Sequence, residues 1–212
     1  MRPPDSSAPS RSSLLAELRY GTRLQHAALD TGLNLQPSTV TRARYATFLQ
    51  CMLSVVAPLE AALAQVSQWE HVFPTAVARR KTHLLVDDLE VLGLHASGPP
   101  IALVELPRIQ SLAQAFGCAY VLEGSTLGGA VLARTLGLVL QLSPGSGLRF
   151  WTAYGHELGS RWREFVTVLE EWAVTVEACE RVSAVDTAAA TFQAFSLALQ
   201  PVQICQTGAT LA

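Results

Sequence analysis

Apolar residues in this chain recur every three and four positions and almost nowhere alternate. That spacing is the period of a helix with one buried face, whereas strict alternation marks a half-buried strand. There is no Asn-Gly hairpin signal, and Ala and Leu are abundant, so strands are not expected. The fold class read from this pattern is all-α, a single-domain helical bundle. Pro, Gly and capping residues divide it into six predicted stretches: about Ser13 to Asp30, Ser38 to Val66, Pro74 to Gly93, Pro107 to Leu140, Leu148 to Glu180, and Asp186 to Gln200. Pro58 lies inside the second and should bend or interrupt it. Pro201 stops the last, a loop is expected at His95–Pro100, and a turn is expected at Ser143–Gly147.

The chain has 212 residues, 50% hydrophobic and only 15% charged, enough for one sizeable core and short for two domains. Every apolar run meets a charge, a Pro or a Gly well short of the roughly 18 residues that a membrane helix needs, so no span is expected. A net charge of −2 gives no basic excess and argues against nucleic acid as a partner. The Pro- and Ser-rich start lacks the apolar stretch of a secretory signal, so residues 1–12 are expected to form a flexible tail. The helical domain is expected at 13–205 and a frayed end at 206–212. Cys51, Cys118, Cys179 and Cys205 stand far apart with no CxxC pair, which is neither a zinc pattern nor a disulfide framework. The expected compartment is reducing cytoplasm.

In the first stretch, Leu15, Leu18, Thr22, His26, Leu29 and Leu33 form one stripe that should face the core. A histidine there must satisfy two ring nitrogens, either within a core or by binding a ligand. Arg19 and Arg23 lie seven and three residues before it, on nearly the same side. An imidazole flanked by guanidinium groups suits a flat apolar ligand with a metal at its centre and carboxylates at one edge, and haem has that chemistry. The bland alternative for the arginines is a solvated helix flank.

The second unusual segment contains Gly124, Gly128 and Gly129 within otherwise helical sequence. Each glycine inside a helix costs about 1 kcal/mol relative to Ala. Gly124 and Gly128 share a face at four-residue spacing, so the backbone there can approach a partner closely or bend. Tight helix packing is the alternative. Neither a phosphate loop nor a dinucleotide fingerprint matches the pattern.

Together the two segments resemble a known family. Leu18-Arg-Tyr-Gly-Thr-Arg-Leu-Gln-His26-Ala-Ala-Leu-Asp30 is similar to the proximal helix of haem oxygenases, with its Thr-x-x-x-His pattern and an acidic residue four positions on. Tyr120-Val-Leu-Glu-Gly-Ser-Thr-Leu-Gly-Gly129 is similar to their kinked distal helix, in the wording of the bacterial branch associated with bacteriophytochromes. Phe150–Gly155 and Trp162–Phe165 fit that branch too. The resemblance implies a haem-oxygenase-type bundle with a Gly-kinked distal helix. It also implies haem as substrate and cofactor, molecular oxygen, and an external electron donor such as a ferredoxin, flavodoxin or reductase. The implied activity is opening of haem to biliverdin, carbon monoxide and iron, with a bacteriophytochrome as receiver of the bilin.

By this resemblance His26 is the iron ligand, Arg19 and Arg23 meet propionates, and Gly124, Gly128 and Gly129 bring backbone close to the distal face. Phe192 would line the pocket. Ser125 stands where many members carry an Asp that anchors water, and Trp151 and Gly155 stand where many carry basic residues. Tyr154 or Arg161 would then serve the propionates on that side. Loss of the Asp leaves a second reading open, a haem-binding or carrier protein without turnover. A third is a non-haem member of the same fold.

Among the other candidates, His83 and Asp87 are four apart on a helix but have no further ligand, and a solvated face is the simpler reading. His71, His95 and His156 read as surface residues. The basic run Arg79-Arg80-Lys81 is expected to pair with Asp87, Asp88 and Glu90 across helical turns.

Overall fold

The computed structural model describes residues 12–32, 35, 38–94, 104–200 and 202. Leu33, His95–Pro100 and Cys205, for which the sequence raised expectations, lie outside them. The described residues form seven α-helices: α1 (Leu14–Gly32), α2 (Arg42–Leu63), α3 (Trp69–Val72), α4 (Thr82–Val91), α5 (Leu112–Leu140), α6 (Leu158–Ala173) and α7 (Ala178–Ala198). Two short 3-10 turns, Val77–Arg79 and Gly155–Glu157, complete the set, and the described residues contain no strand.

Helix starts follow their caps. Ser13 accepts from the Ala16 amide at the head of α1, Thr41 from Arg44 before α2, and Ser111 from Gln114 before α5. The expected stretch from Leu148 to Glu180 is not one helix. Residues 149–154 are turns, Gly155 takes a left-handed φ of 48°, and α6 opens only at Leu158. After Ala173 comes a β-branched run, Val174-Thr-Val176, and α7 restarts at a capping box formed by Glu177 and Glu180. Pro58 does not interrupt α2, because Val55, Val56, Leu59 and Leu63 hold the helix in the core on both sides of it.

α7 is the floor of the bundle. α1 and α5 both pack on it at near-backbone contact. At Gly21 a Cβ would overlap the Val185 side chain, and at Gly117 it would overlap the Ala184 carbonyl. Above this lies an aromatic cluster in which Phe116 meets Trp69 (5.1 Å between centroids) and Trp172 (4.7 Å), and Phe165 meets Phe73 (5.9 Å). Cys51 and Cys118 are buried small residues, and burial lifts their thiols to about 11 and about 12, which keeps them protonated. Cys179 is exposed.

By length and composition alone α2 and α5 could cross a membrane, contrary to the reading of the apolar runs. Half or more of each apolar window (50% and 61%) is buried inside this chain, as expected of core helices.

Charges join elements distant in sequence. The Arg181 guanidinium donates to Glu17 (2.8 Å), to the Ser12 carbonyl and to the Ala173 carbonyl, fastening α7 to α1 and to the end of α6. Asp88 accepts from the amides of Arg149 and Phe150, both at 2.9 Å, and Asp87 pairs with Arg149 at 2.6 Å. The acidic run thus holds the turn before α6 rather than pairing with Arg79–Lys81. Arg80 instead reaches Glu70 at 3.4 Å.

Two tests follow from this packing. Gly117→Ala forces α5 off α7, and a loss of about 2 kcal/mol is expected, read as a fall in Tm of several degrees by circular dichroism. The second concerns pH. The Arg181 hydrogen bond holds the Glu17 carboxyl below its ordinary value of 4.5. A lowered carboxylate stabilises the fold above the unfolded value and loses that contribution as pH falls through the folded value. The Tm gap between the native chain and Glu17→Gln should therefore be full near neutrality and close as the solution is acidified below about 4.5; a gap independent of pH would contradict the assignment.

Candidate functional site

A cavity of about 750 Å³ lies between α1 and α5, with α7 closing it from below. Its size falls in the range of roughly 300–1,000 Å³ usual for small-molecule and cofactor sites. α1 contributes Arg19, Thr22, Arg23, His26, Leu29 and Asp30. α5 contributes Tyr120, Val121, Gly124, Ser125 and the stretch around Gly128, Gly129 and Leu132, and α7 contributes Phe192 and Phe195. Phe48, Met52, Trp151 and Trp162 complete the wall.

His26 is not packed in the core as its stripe suggested. Leu18 and Thr22 are fully buried, but one turn later the stripe opens into the cavity, and the His26 side chain is 57% exposed. Its Nδ1 lies 2.9 Å from Asp30 Oδ2, and its ring meets Phe192 edge-on at 5.5 Å. A neutral imidazole that donates from Nδ1 carries its lone pair on Nε2, the nitrogen with no hydrogen-bond partner among the described residues. Spacing of four on one helix makes this pair, since i and i+4 side chains stand one above the other.

Arg19 and Arg23 are exposed on the cavity rim. Arg23 stacks over Tyr20 at 4.1 Å and donates to the Tyr20 carbonyl. No other Lys or Arg lines the cavity among the described residues.

The glycines of α5 divide into two kinds. A Cβ at Gly128 would meet nothing, so this position gives open space on the cavity side. A Cβ at Gly124 would make ordinary contact with Trp162 at 3.9 Å. Gly129 differs: a Cβ there would overlap the Trp151 ring, so this glycine seats a wall residue. Helical structure is unbroken through all three. Ser125 donates its hydroxyl proton to the Leu122 carbonyl at 2.8 Å, which leaves it only acceptor capacity toward a ligand or water.

Two expected residues are not brought to the cavity. Tyr154 donates to Glu123 (2.8 Å to Oε1), on the far side of α5, and burial with the Glu123 charge raises its phenol well above the ordinary range. Arg161 pairs with Glu157, the residue just before α6, at 3.1 Å and with Glu164 on its own helix at 4.0 Å. Trp151, Trp162, Phe48, Met52 and Thr22 line the cavity although the sequence did not single them out as site residues. One signal for Trp151 was available, since Gly129 needs a large neighbour against its bare backbone. No cluster of three or more metal-ligating side chains occurs among the described residues, and His83 is exposed while Asp87 is taken by Arg149.

These residues fit haem on four counts. The cavity is large and apolar, one imidazole nitrogen is free beside it, a carboxylate fixes the other nitrogen, and two guanidinium groups stand on one rim. Comparison with known proteins bears on the same point. A family model described as "Heme oxygenase" matches residues 12–200. The fold is similar to that of a crystallised heme oxygenase from Neisseria meningitidis, studied with bound NO and CO, at 20% identity over 91% of this chain and 92% of that one, with a TM-score of 0.76. It is also similar to a heme oxygenase from Leptospira interrogans, at 18% identity over 90% of this chain and all of the other, with a TM-score of 0.69. No curated protein matches the sequence. The chain belongs to the heme oxygenase family, whose members are haem-degrading oxygenases with haem as both substrate and prosthetic group.

Proposed function

We propose that this protein opens haem to biliverdin, releasing carbon monoxide and iron. The observation that carries the reading is the pairing of His26 with Asp30 at the mouth of a cavity whose opposite wall is the glycine stretch of α5. The chemistry, iron-centred reduction of dioxygen and oxidative opening of the macrocycle, is supplied by haem when bound.

The chain's own residues bind, orient and shield. His26 Nε2 holds the iron, and Asp30 fixes the tautomer and ring plane that make this nitrogen a ligand. Arg19 and Arg23 hold the propionates at the α1 rim. With no other cation in the lining among the described residues, they also fix which way round the macrocycle lies. Gly124 and Gly128 let the α5 backbone stand close to the distal face. Phe48, Met52 and Trp151 keep water from that end of the cavity, and Ser125 accepts a hydrogen bond from any water that remains. Electrons come from an external donor such as a ferredoxin, flavodoxin or reductase, since no flavin or nicotinamide fingerprint stands in the sequence. The wording of Tyr120–Gly129 supports a place beside a bacteriophytochrome as supplier of its bilin.

A hemin titration should give a saturable Soret band. Addition of a reductant under air should replace it with a broad biliverdin absorption towards the red; a band that persists would mark a carrier without turnover. His26→Ala should lose the imidazole-ligated spectrum. If that spectrum survives unchanged, His26 is not the ligand. Arg19→Ala combined with Arg23→Ala should weaken hemin binding by on the order of tenfold or more while the imidazole-ligated spectrum stays in place.

A further inference from the structure

The glycine stretch of α5 has few side chains with which to fix its own position. Its nearest upstream anchor is Glu123, one residue before Gly124 and 4% exposed, on the face of α5 away from the cavity. Three donor groups are arranged around it. Arg79 pairs with Oε2, Lys81 Nζ lies 2.7 Å from Oε1, and the Tyr154 hydroxyl lies 2.8 and 3.0 Å from the two oxygens. Arg79 also reaches Glu164 at 2.9 Å and the Arg161 carbonyl at 3.0 Å, which ties the cluster to α6. Two buried cations thus face two carboxylates, and each is hydrogen-bonded, the condition under which buried charge holds one geometry.

The cluster reaches the cavity wall twice. It grips α5 one residue before the glycines begin. Through Tyr154 it also grips the segment that carries Trp151, whose ring seats against Gly129 and stacks on Phe48 at 5.5 Å between centroids. We infer that Glu123, held by Tyr154, Lys81 and Arg79, is a positioning residue: it sets the place of the Gly124–Gly129 backbone over the bound macrocycle and thereby which meso carbon is opened. The inference rests on the haem site proposed above. The catalytic contacts themselves belong to other residues, and Glu123 acts through α5.

Tyr154→Phe removes one hydroxyl and keeps the ring, so it tests the clamp with the least disturbance. Glu123→Gln is the second variant, keeping the shape and removing the charge. In haem-free Tyr154→Phe, amide hydrogen exchange should quicken by about tenfold over residues 121–132 and stay near native in α1, α2 and α7. In the hemin-loaded protein the Soret band should be retained, and a minor ring-opened isomer should rise about tenfold in chromatographic analysis of the product. Glu123→Gln, where it folds, should shift both readouts further. Unchanged exchange and an unchanged isomer pattern in Tyr154→Phe would overturn the inference. So would an increase in exchange spread evenly over all helices, which would mean a general structural role. Failure of the haem reading is distinguishable, because it appears as a missing Soret band in the native protein while the exchange measurement on haem-free protein still decides the clamp.

Discussion

Everything at the site depends on how closely α7 lets two other helices approach. Side chains ordinarily hold packed helices 8–10 Å apart at their axes. Gly21 on α1 and Gly117 on α5 remove that spacer where each helix meets α7, at Val185 and at Ala184. Both helices are pinned to one floor at these points, and His26 and the Gly124–Gly129 stretch lie further along them. The cavity is the space left between them.

The second organising device is carboxylate capping across long sequence separations. Glu170 on α6 accepts from the Ser13 hydroxyl and the amides of Leu14 and Leu15, closing the head of α1. Glu60 on α2 accepts from the amides of Lys81 and Thr82 and from the Thr82 hydroxyl, closing the head of α4. Asp88 on α4 does the same for the turn at Arg149 and Phe150. The first amides of a helix have no partner within it and carry the positive end of its dipole, so a buried carboxylate is well placed there. Charge is scarce in this chain, and much of its acidic content serves the joints between helices.

These joints explain what could be read from the sequence and what could not. The all-α class, the start of α1 at its serine and the course of α5 to Leu140 follow from local period and local caps, which are visible in a short window. His26, Arg19 and Arg23 were legible because one helix carries all three. Tyr154 and Arg161 were misplaced because their position depends on where Glu123, Glu157 and Glu164 point, a matter of tertiary packing. The break before α7 was hidden because its cap is a glutamate, a residue that also belongs inside helices. Gly129 looked like its neighbours in sequence and differs from them only through Trp151, a residue on another element.

The wall of the cavity also carries its own optical signal. Trp151 and Trp162, two of the chain's four tryptophans, border the space between α1 and α5, whereas Trp69 and Trp172 lie in the aromatic cluster beyond it. Indole emission is sensitive to a strongly absorbing group at van der Waals distance and to the polarity of what surrounds it. Trp151 and Trp162 therefore meet directly whatever fills the cavity, whereas Trp69 and Trp172 meet only the packing of the bundle around it.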